Sequence, residues 1–254
     1  MSWVMGRRGL SSCIATAAAV VALGAPASSS AEPIEIGHIP ECLELVPAAV
    51  AIPPGSPVVL DVRVLLDGVS ATRGAQVFQT ARQSYGPLGI DLVPSFQSVS
   101  FSGTDAQGLI NQSKALFGGQ RPAGIDIVYA LTSKDIEVDG QTGVAGLADC
   151  IGGVAFPANA FAVGENFTGA DASAIGPLFL ARNLTAKVAA HEIGHLMGGH
   201  HHYANCAEGL LADPPPGELS PCTLMFNAVD LASLNFGTLN GLVVRGHMEA
   251  YATG

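Results

Sequence analysis

The order of apolar segments predicts a mixed α/β (α+β) domain. Its core is a twisted, mostly parallel sheet with one antiparallel edge strand. Three observations carry this expectation. Between residues 58 and 131, β-rich and helix-periodic runs alternate as β-α-β-α-β. That order lays strands in parallel, because each crossover helix must pack back onto the sheet. From 143 to 163 two short apolar runs follow each other with no helix between them, so the second must return antiparallel to the first. Two further helical segments, one ending near 196 and one closing the chain, complete the set.

Val58 to Leu66 is rich in β-branched and aliphatic residues and reads as the first strand. Thr72 to Tyr85 has helical periodicity in Ala75, Val77, Phe78, Ala81 and Arg82. Gly89 to Phe101 is a second strand, expected to break at Pro94. Asp105 to Phe117 forms a short helix, and Gly124 to Leu131 the third strand. Val144 to Cys150 is the edge strand and Phe161 to Gly164 its return, joined by Gly152-Gly153 and Pro157. The next helix should start between Ala181 and Thr185, with Asn183 or Thr185 as its cap. Thr238 to Tyr251 is the last helix, with Leu239, Leu242, Val243 and Met248 on helical spacing.

Residues 1–31 have the layout of a secretory signal peptide. Arg7 and Arg8 precede an apolar stretch from Ile14 to Ala25 that is too short to span a membrane. Cleavage fits after Ala27 or after Ala31. Residues 32–56, with Pro33, Pro40, Pro47, Pro53 and Pro54, read as an N-terminal extension or short propeptide. Residues 57–254 are then one catalytic-sized domain. The whole chain has 254 residues and a formal charge of −10, with 11 basic and 21 acidic residues. Removing 1–31 takes two arginines and no acid, leaving 9 against 21, or about −12. Such a balance excludes nucleic acid and anionic membranes as partners, and no later segment reads as a membrane span. A secreted, extracellular monomer is expected.

The most specific signal is His191-Glu192-Ile193-Gly194-His195-Leu196-Met197-Gly198-Gly199-His200-His201, an H-E-x-x-H-x-x-G-x-x-H pattern. Histidines four apart lie on one helix face, one turn from each other, so both imidazoles reach one metal ion. Glu192 then reaches a water on that metal. Gly198 suits the left-handed residue that ends a helix, letting the chain turn and bring His201 in as third ligand. Three neutral nitrogens with a fourth position open describe one catalytic Zn2+. His200 and His202 flank the third ligand and are read as exposed or supporting. A downstream glutamate is excluded as the ligand. Glu218 follows Asp213-Pro214-Pro215-Pro216-Gly217, which is not helical, and Glu208 sits too close behind the turn. Calcium sites have no recognisable spacing despite the acidic composition.

On these residues the chain resembles the metzincin metallopeptidases. The segment Cys222-Thr223-Leu224-Met225-Phe226 looks like that family's Met-turn, with Met225 as its methionine. The order of segments and the cysteine ahead of the turn resemble reprolysin (adamalysin-like) members. Two positions depart from family habit: His202 stands where reprolysins usually have Asp, and Asn227 where some metzincins have a Tyr ligand. The resemblance implies a secreted zinc-dependent endopeptidase acting on proteins or peptides, with Glu192 as general base. It implies that an edge strand including Val144, Ala145, Gly146 and Leu147 pairs with extended substrate. Candidate wall positions of the specificity pocket are Phe226 to Val229. The alternative is a catalytically silent zinc-binding or interaction protein on the same scaffold, against which the intact Glu192 speaks.

Cys13 leaves with the signal, so Cys42, Cys150, Cys206 and Cys222 remain. An even count in an exported chain favours two disulfides, with three possible connectivities. Cys206–Cys222 would close the Pro-rich loop, leaving Cys42–Cys150. The rival role for Cys42, a latency thiolate on the zinc, would leave an odd cysteine, and Pro40-Glu41-Cys42-Leu43-Glu44 does not match the family's latency motif.

Overall fold

The computed structural model describes Cys42 and residues 56–169, 181–201, 223–226 and 234–252. Its central sheet runs β2-β1-β3-β7-β6. The strands are β1 (Val58–Asp67), β2 (Ile90–Val99), β3 (Ile127–Thr132), β6 (Gly146–Ala148) and β7 (Phe161–Glu165). All pairings are parallel except β6 with β7, so β6 is the antiparallel edge strand, as expected. A small hairpin, β4 (Glu137–Val138) and β5 (Gln141–Thr142), precedes it. Its turn is Asp139-Gly140, both at positive φ (53° and 75°), the two-residue turn that matches strand twist. This hairpin lies outside the expected element order, although Asp-Gly is its sequence signal.

Side chains alternate between the two faces of the sheet. On one face lie helix α1 (Ala71–Tyr85) and helix α3 (Ala181–Leu196), which pack on each other. On the other lies α2 (Ala106–Ala115), packed on β3, β6 and β7. Helix α4 (Thr238–Tyr251) closes the domain. Helix starts follow local chemistry: Ser70 Oγ accepts from the Arg73 amide (3.2 Å), and Asp105 Oδ2 from the Gly108 amide (2.6 Å). The core is formed by β1 (Leu60, Val62, Val64, Leu66), the fully buried β3, and the α1 ring of Phe78, which meets Phe96 and Tyr129 edge-on.

Two expectations are corrected. β2 does not break at Pro94, which pairs in register with Val62. Among the described residues β2 is an edge strand, where a residue without an N–H is tolerated because one side of the strand has no ladder to feed. Neither Asn183 nor Thr185 caps α3, since both lie inside it. The Thr185 hydroxyl instead accepts from the Phe167 amide (3.0 Å) and from Arg73 Nη2 (3.2 Å). Arg73 also donates to Asn166 Oδ1 and the Phe167 carbonyl, tying α1 to the chain leaving β7 and to α3. Cys42 and Cys150 form a disulfide, with Cα atoms 5.3 Å apart. Cys206 and Cys222 lie outside the described residues, as does nearly all of 1–56.

Candidate metal centre

Helix α3 is buried nearly all round: Leu184, Ala186, Val188, Ala189, Ala190, Ile193 and Leu196 are covered, and so are the polar Thr185, Lys187, His191, Glu192 and His195. A helix covered on every side belongs to the interior, and this one packs on β7, β6 and β3 and beside α1. The Tyr85 hydroxyl of α1 donates to the Ala190 carbonyl (2.6 Å), anchoring α3 one residue before His191. His191, Glu192 and His195 are fully buried.

The helix ends through its glycines. Gly198 has φ +84°. The Gly199 amide donates to the Gly194 carbonyl (2.9 Å) and the Gly198 amide to the His195 carbonyl (2.8 Å). This paired pattern, with a left-handed residue just past the helix, reverses the chain within one turn. A side chain at Gly198 is excluded twice, by φ and by His247, whose ring would lie 2.5–2.8 Å from an added Cβ.

The reversal carries His201 back to the helix. Its Nε2 lies 3.0 Å from His191 Nε2 and 2.9 Å from His195 Nε2, and the latter two are 2.9 Å apart. His200 is exposed; His202 lies outside the described residues. The far nitrogens fix two of the tautomers. His191 Nδ1–H donates to the Leu224 carbonyl and His195 Nδ1–H to the Gly199 carbonyl, both at 2.7 Å. Their Nε2 atoms are therefore unprotonated and face each other as lone pairs. Two acceptors at such a separation repel unless a cation lies between them, so the donor set fits a metal ion. No other group of three metal-binding side chains occurs among the described residues. Burial, then the neighbouring imidazoles His195 and His201, hold the His191 pKa well below its ordinary value against the opposing pull of the Leu224 carbonyl. Burial and His201 do the same for His195 against the Gly199 carbonyl. Neutral imidazoles are the form a metal needs.

Met225 is fully buried beneath the helix, where a Cβ on Gly194 would come 3.0 Å from its sulfur and 2.9 Å from the Phe236 ring. The segment's direct service to the site is the Leu224 carbonyl. Leu224 is held in turn by its amide, which donates to the Asn235 carbonyl (2.7 Å). Phe226 is half-buried, and 227–229 lie outside the described residues.

Glu192 points from α3 toward the edge strand. Burial pushes its carboxyl well above the usual range, and the facing Ala148 amide opposes this from a position short of a hydrogen bond. Of the four residues expected in the edge strand, Gly146 and Leu147 lie in β6. Val144 and Ala145 precede it, with the Ala145 carbonyl accepting from the Glu165 amide (2.9 Å). All four are buried. Gly146 and Gly164 are cross-strand partners. The missing side chains leave room for Glu192, Val188 and the buried Tyr129 hydroxyl.

Residues 79–202 match the family model described as metallo-peptidase family M12B, reprolysin-like. No curated protein matches the chain significantly. Among solved structures, the archaemetzincin of Methanopyrus kandleri is 18% identical, covers 78% of this chain and 99% of its own, and superposes with a TM-score of 0.51. The archaemetzincin of Archaeoglobus fulgidus is 16% identical, with 72% and 99% covered and a TM-score of 0.47. A zinc-dependent peptidase from Methanocorpusculum labreanum is 15% identical, with 72% and 99% covered and a TM-score of 0.44. The Methanopyrus likeness is one of fold. Together with the family match across α3 and its turn, it supports a metzincin-type zinc metallopeptidase. Within that class, the model matched over 79–202 is the reprolysin-like one.

Proposed function

We propose that this chain is a secreted zinc endopeptidase in which Glu192 activates water. One observation carries the reading: three histidine nitrogens converge, and a buried carboxylate from the intervening helical turn stands beside them under the edge strand. His191, His195 and His201 would hold the zinc. When bound, zinc supplies Lewis acidity to a water and to the scissile carbonyl. Glu192 takes the water proton on its carboxylate and hands it to the departing amine. A carboxyl whose proton affinity is raised by burial is better matched to that shuttle near neutral pH than an exposed one. The edge strand, with Gly146 and Leu147 in β6, would bind extended substrate through its main chain.

Export is supported by the signal-like residues 1–31, by the even cysteine count of the remaining chain and by the Cys42–Cys150 disulfide. No helix among the described residues is long and apolar enough to cross a membrane. A monomer acting on proteins or peptides completes the proposal. The test is cleavage of an unfolded protein by the purified chain. Cleavage should stop with a strong chelator and return on adding zinc. Internal fragments in mass spectra would mark an endopeptidase, and hydrolysis indifferent to the chelator would refute the metal mechanism.

A further inference from the structure

We infer that Asn240 is a positioning residue for the third metal ligand, acting through the backbone of His200. The inference rests on the zinc-peptidase reading and extends it to helix α4, which supplies no ligand. Asn240 stands in the first turn of α4 and is buried. Its Oδ1 accepts from the His200 amide and its Nδ2 donates to the His200 carbonyl, both at 3.0 Å. A carboxamide presents one donor and one acceptor side by side, as a peptide group does. Here it meets both polar groups of one residue, so the amide's orientation is fixed by its partners.

The site needs such a restraint because of how His201 is reached. His191 and His195 are positioned by the helix itself. His201 lies beyond it, after Gly198 and Gly199, the residue type with the most backbone freedom. The last helical bond is the Gly199 amide to Gly194. The Asn240 clamp takes hold at the next residue, immediately before the ligand. Seven residues on, two turns along the same face of α4, the His247 ring fills the space that a Gly198 side chain would need. Helix α4 thus backs the turn at both ends: His247 lies against its left-handed residue and Asn240 fixes its exit. This sets the direction in which the chain delivers His201.

The test compares three variants of the full exported chain with the wild type. Zinc affinity is read by competition with a chromogenic chelator, and metal geometry from the visible spectrum of the cobalt-substituted protein. Asn240→Ala should still take up one zinc but bind it on the order of 10–100-fold more weakly, the usual cost of removing a group that orients a ligand. Its cobalt bands should change in intensity. Asn240→Asp keeps the size but sets a carboxylate oxygen against the His200 carbonyl. It should lose affinity similarly, and it carries the comparison if Asn240→Ala does not fold. Arg245→Ala is the control on the same helix. Arg245 holds the Leu88, Gly89 and Ser56 carbonyls on a different face. Its loss should lower the melting temperature while leaving zinc affinity and the cobalt spectrum as in the wild type. Zinc affinity within twofold of wild type in both Asn240 variants would overturn the clamp. So would an equal loss of affinity in Arg245→Ala, which would mark a general loosening of α4. A wild-type chain that binds no zinc would overturn the peptidase reading and the clamp with it, an outcome distinct from the other two.

Discussion

Gly146 of β6 and Glu192 of α3 are in direct contact: a Cβ added at Gly146 would lie 2.6 Å from Glu192 Oε1 and 2.8 Å from its Cγ. The same Cβ would lie 2.8 Å from Val188 Cγ1, so the carboxylate has a packed side chain on one flank and main chain above it. The strand that borders the site is therefore also what sets the height of the proposed base. Gly146→Ala should displace Glu192 and leave the three histidines where they are. Catalysis is sensitive to misplacement on the scale of an ångström. Proteolytic kcat/KM should fall roughly 10–100-fold while zinc content stays at the wild-type level. Wild-type turnover in this variant would show that Glu192 does not act from the position seen here.

Glu192→Ala removes the carboxylate without touching the ligand set. Zinc should remain stoichiometric, and turnover should drop about 10²–10⁴-fold, the range for losing a positioned acid-base group. Paired zinc analysis and initial rates on one preparation separate the two effects. Appreciable residual turnover would reassign the proton transfer.

The register of the third ligand is tested by neighbouring substitutions. His201 Nε2 lies within 3.0 Å of both helix histidines, whereas His200 is exposed. His201→Ala should cost zinc sharply, and His200→Ala should leave affinity nearly unchanged, because the Asn240 clamp grips His200 only by its backbone. Equilibrium dialysis against a metal buffer reads both. The opposite ranking would shift the ligand by one residue.

These residues differ in how far local pattern reveals them. The histidine set was legible because helix spacing and a glycine turn are local properties. The parallel sheet and its antiparallel edge were legible for a similar reason, since crossover length decides strand direction. Asn240 gives no such signal: its meaning lies in a contact with a residue 40 positions away. Gly146 reads as an ordinary glycine until Glu192 is seen against it. Pro94 misleads because proline disfavours strands in general, and only the sheet order shows that β2 lies at the edge among the described strands. Thr185 has the chemistry of a cap, but tertiary partners, Arg73 and the Phe167 amide, claim its hydroxyl inside the helix.

Asp67 at the end of β1 predicts an acid limit to stability. Burial raises its pKa, but Lys134, the Phe101 amide and the Thr132 hydroxyl outweigh that, and the pKa is lowered. The contacts are 2.9 Å to Lys134 Nζ, 3.1 Å from the Phe101 amide and 2.8 Å from Thr132 Oγ1. A carboxylate whose pKa is lower folded than unfolded stabilises fully above its unfolded value, near 4. That contribution is lost as pH falls through the folded value. Asp67→Asn should cost about 1–3 kcal/mol at pH 7, typical of hydrogen bonds to a charged group. The gap from wild type should narrow below pH 4. Urea unfolding at pH 7 and pH 3 measures it, and a gap that widens in acid would reverse the sign of the linkage.

The Cys42–Cys150 disulfide joins residues 108 apart and brings Cys42 to the end of the β6 segment, where its amide donates to the Ile151 carbonyl (3.2 Å). A cross-link over that separation removes much freedom from the unfolded chain, and such bonds typically stabilise by about 2–4 kcal/mol. Cys42→Ser should lower the denaturation midpoint accordingly. It should leave zinc affinity unchanged, because Cys42 is bonded to Cys150 and not to the metal site. Peptide mapping under non-reducing conditions should recover the Cys42–Cys150 pair and will show whether Cys206 and Cys222 form the second bond. A rise in activity on Cys42→Ser, with stability unaltered, would instead restore the latency-thiolate role for Cys42.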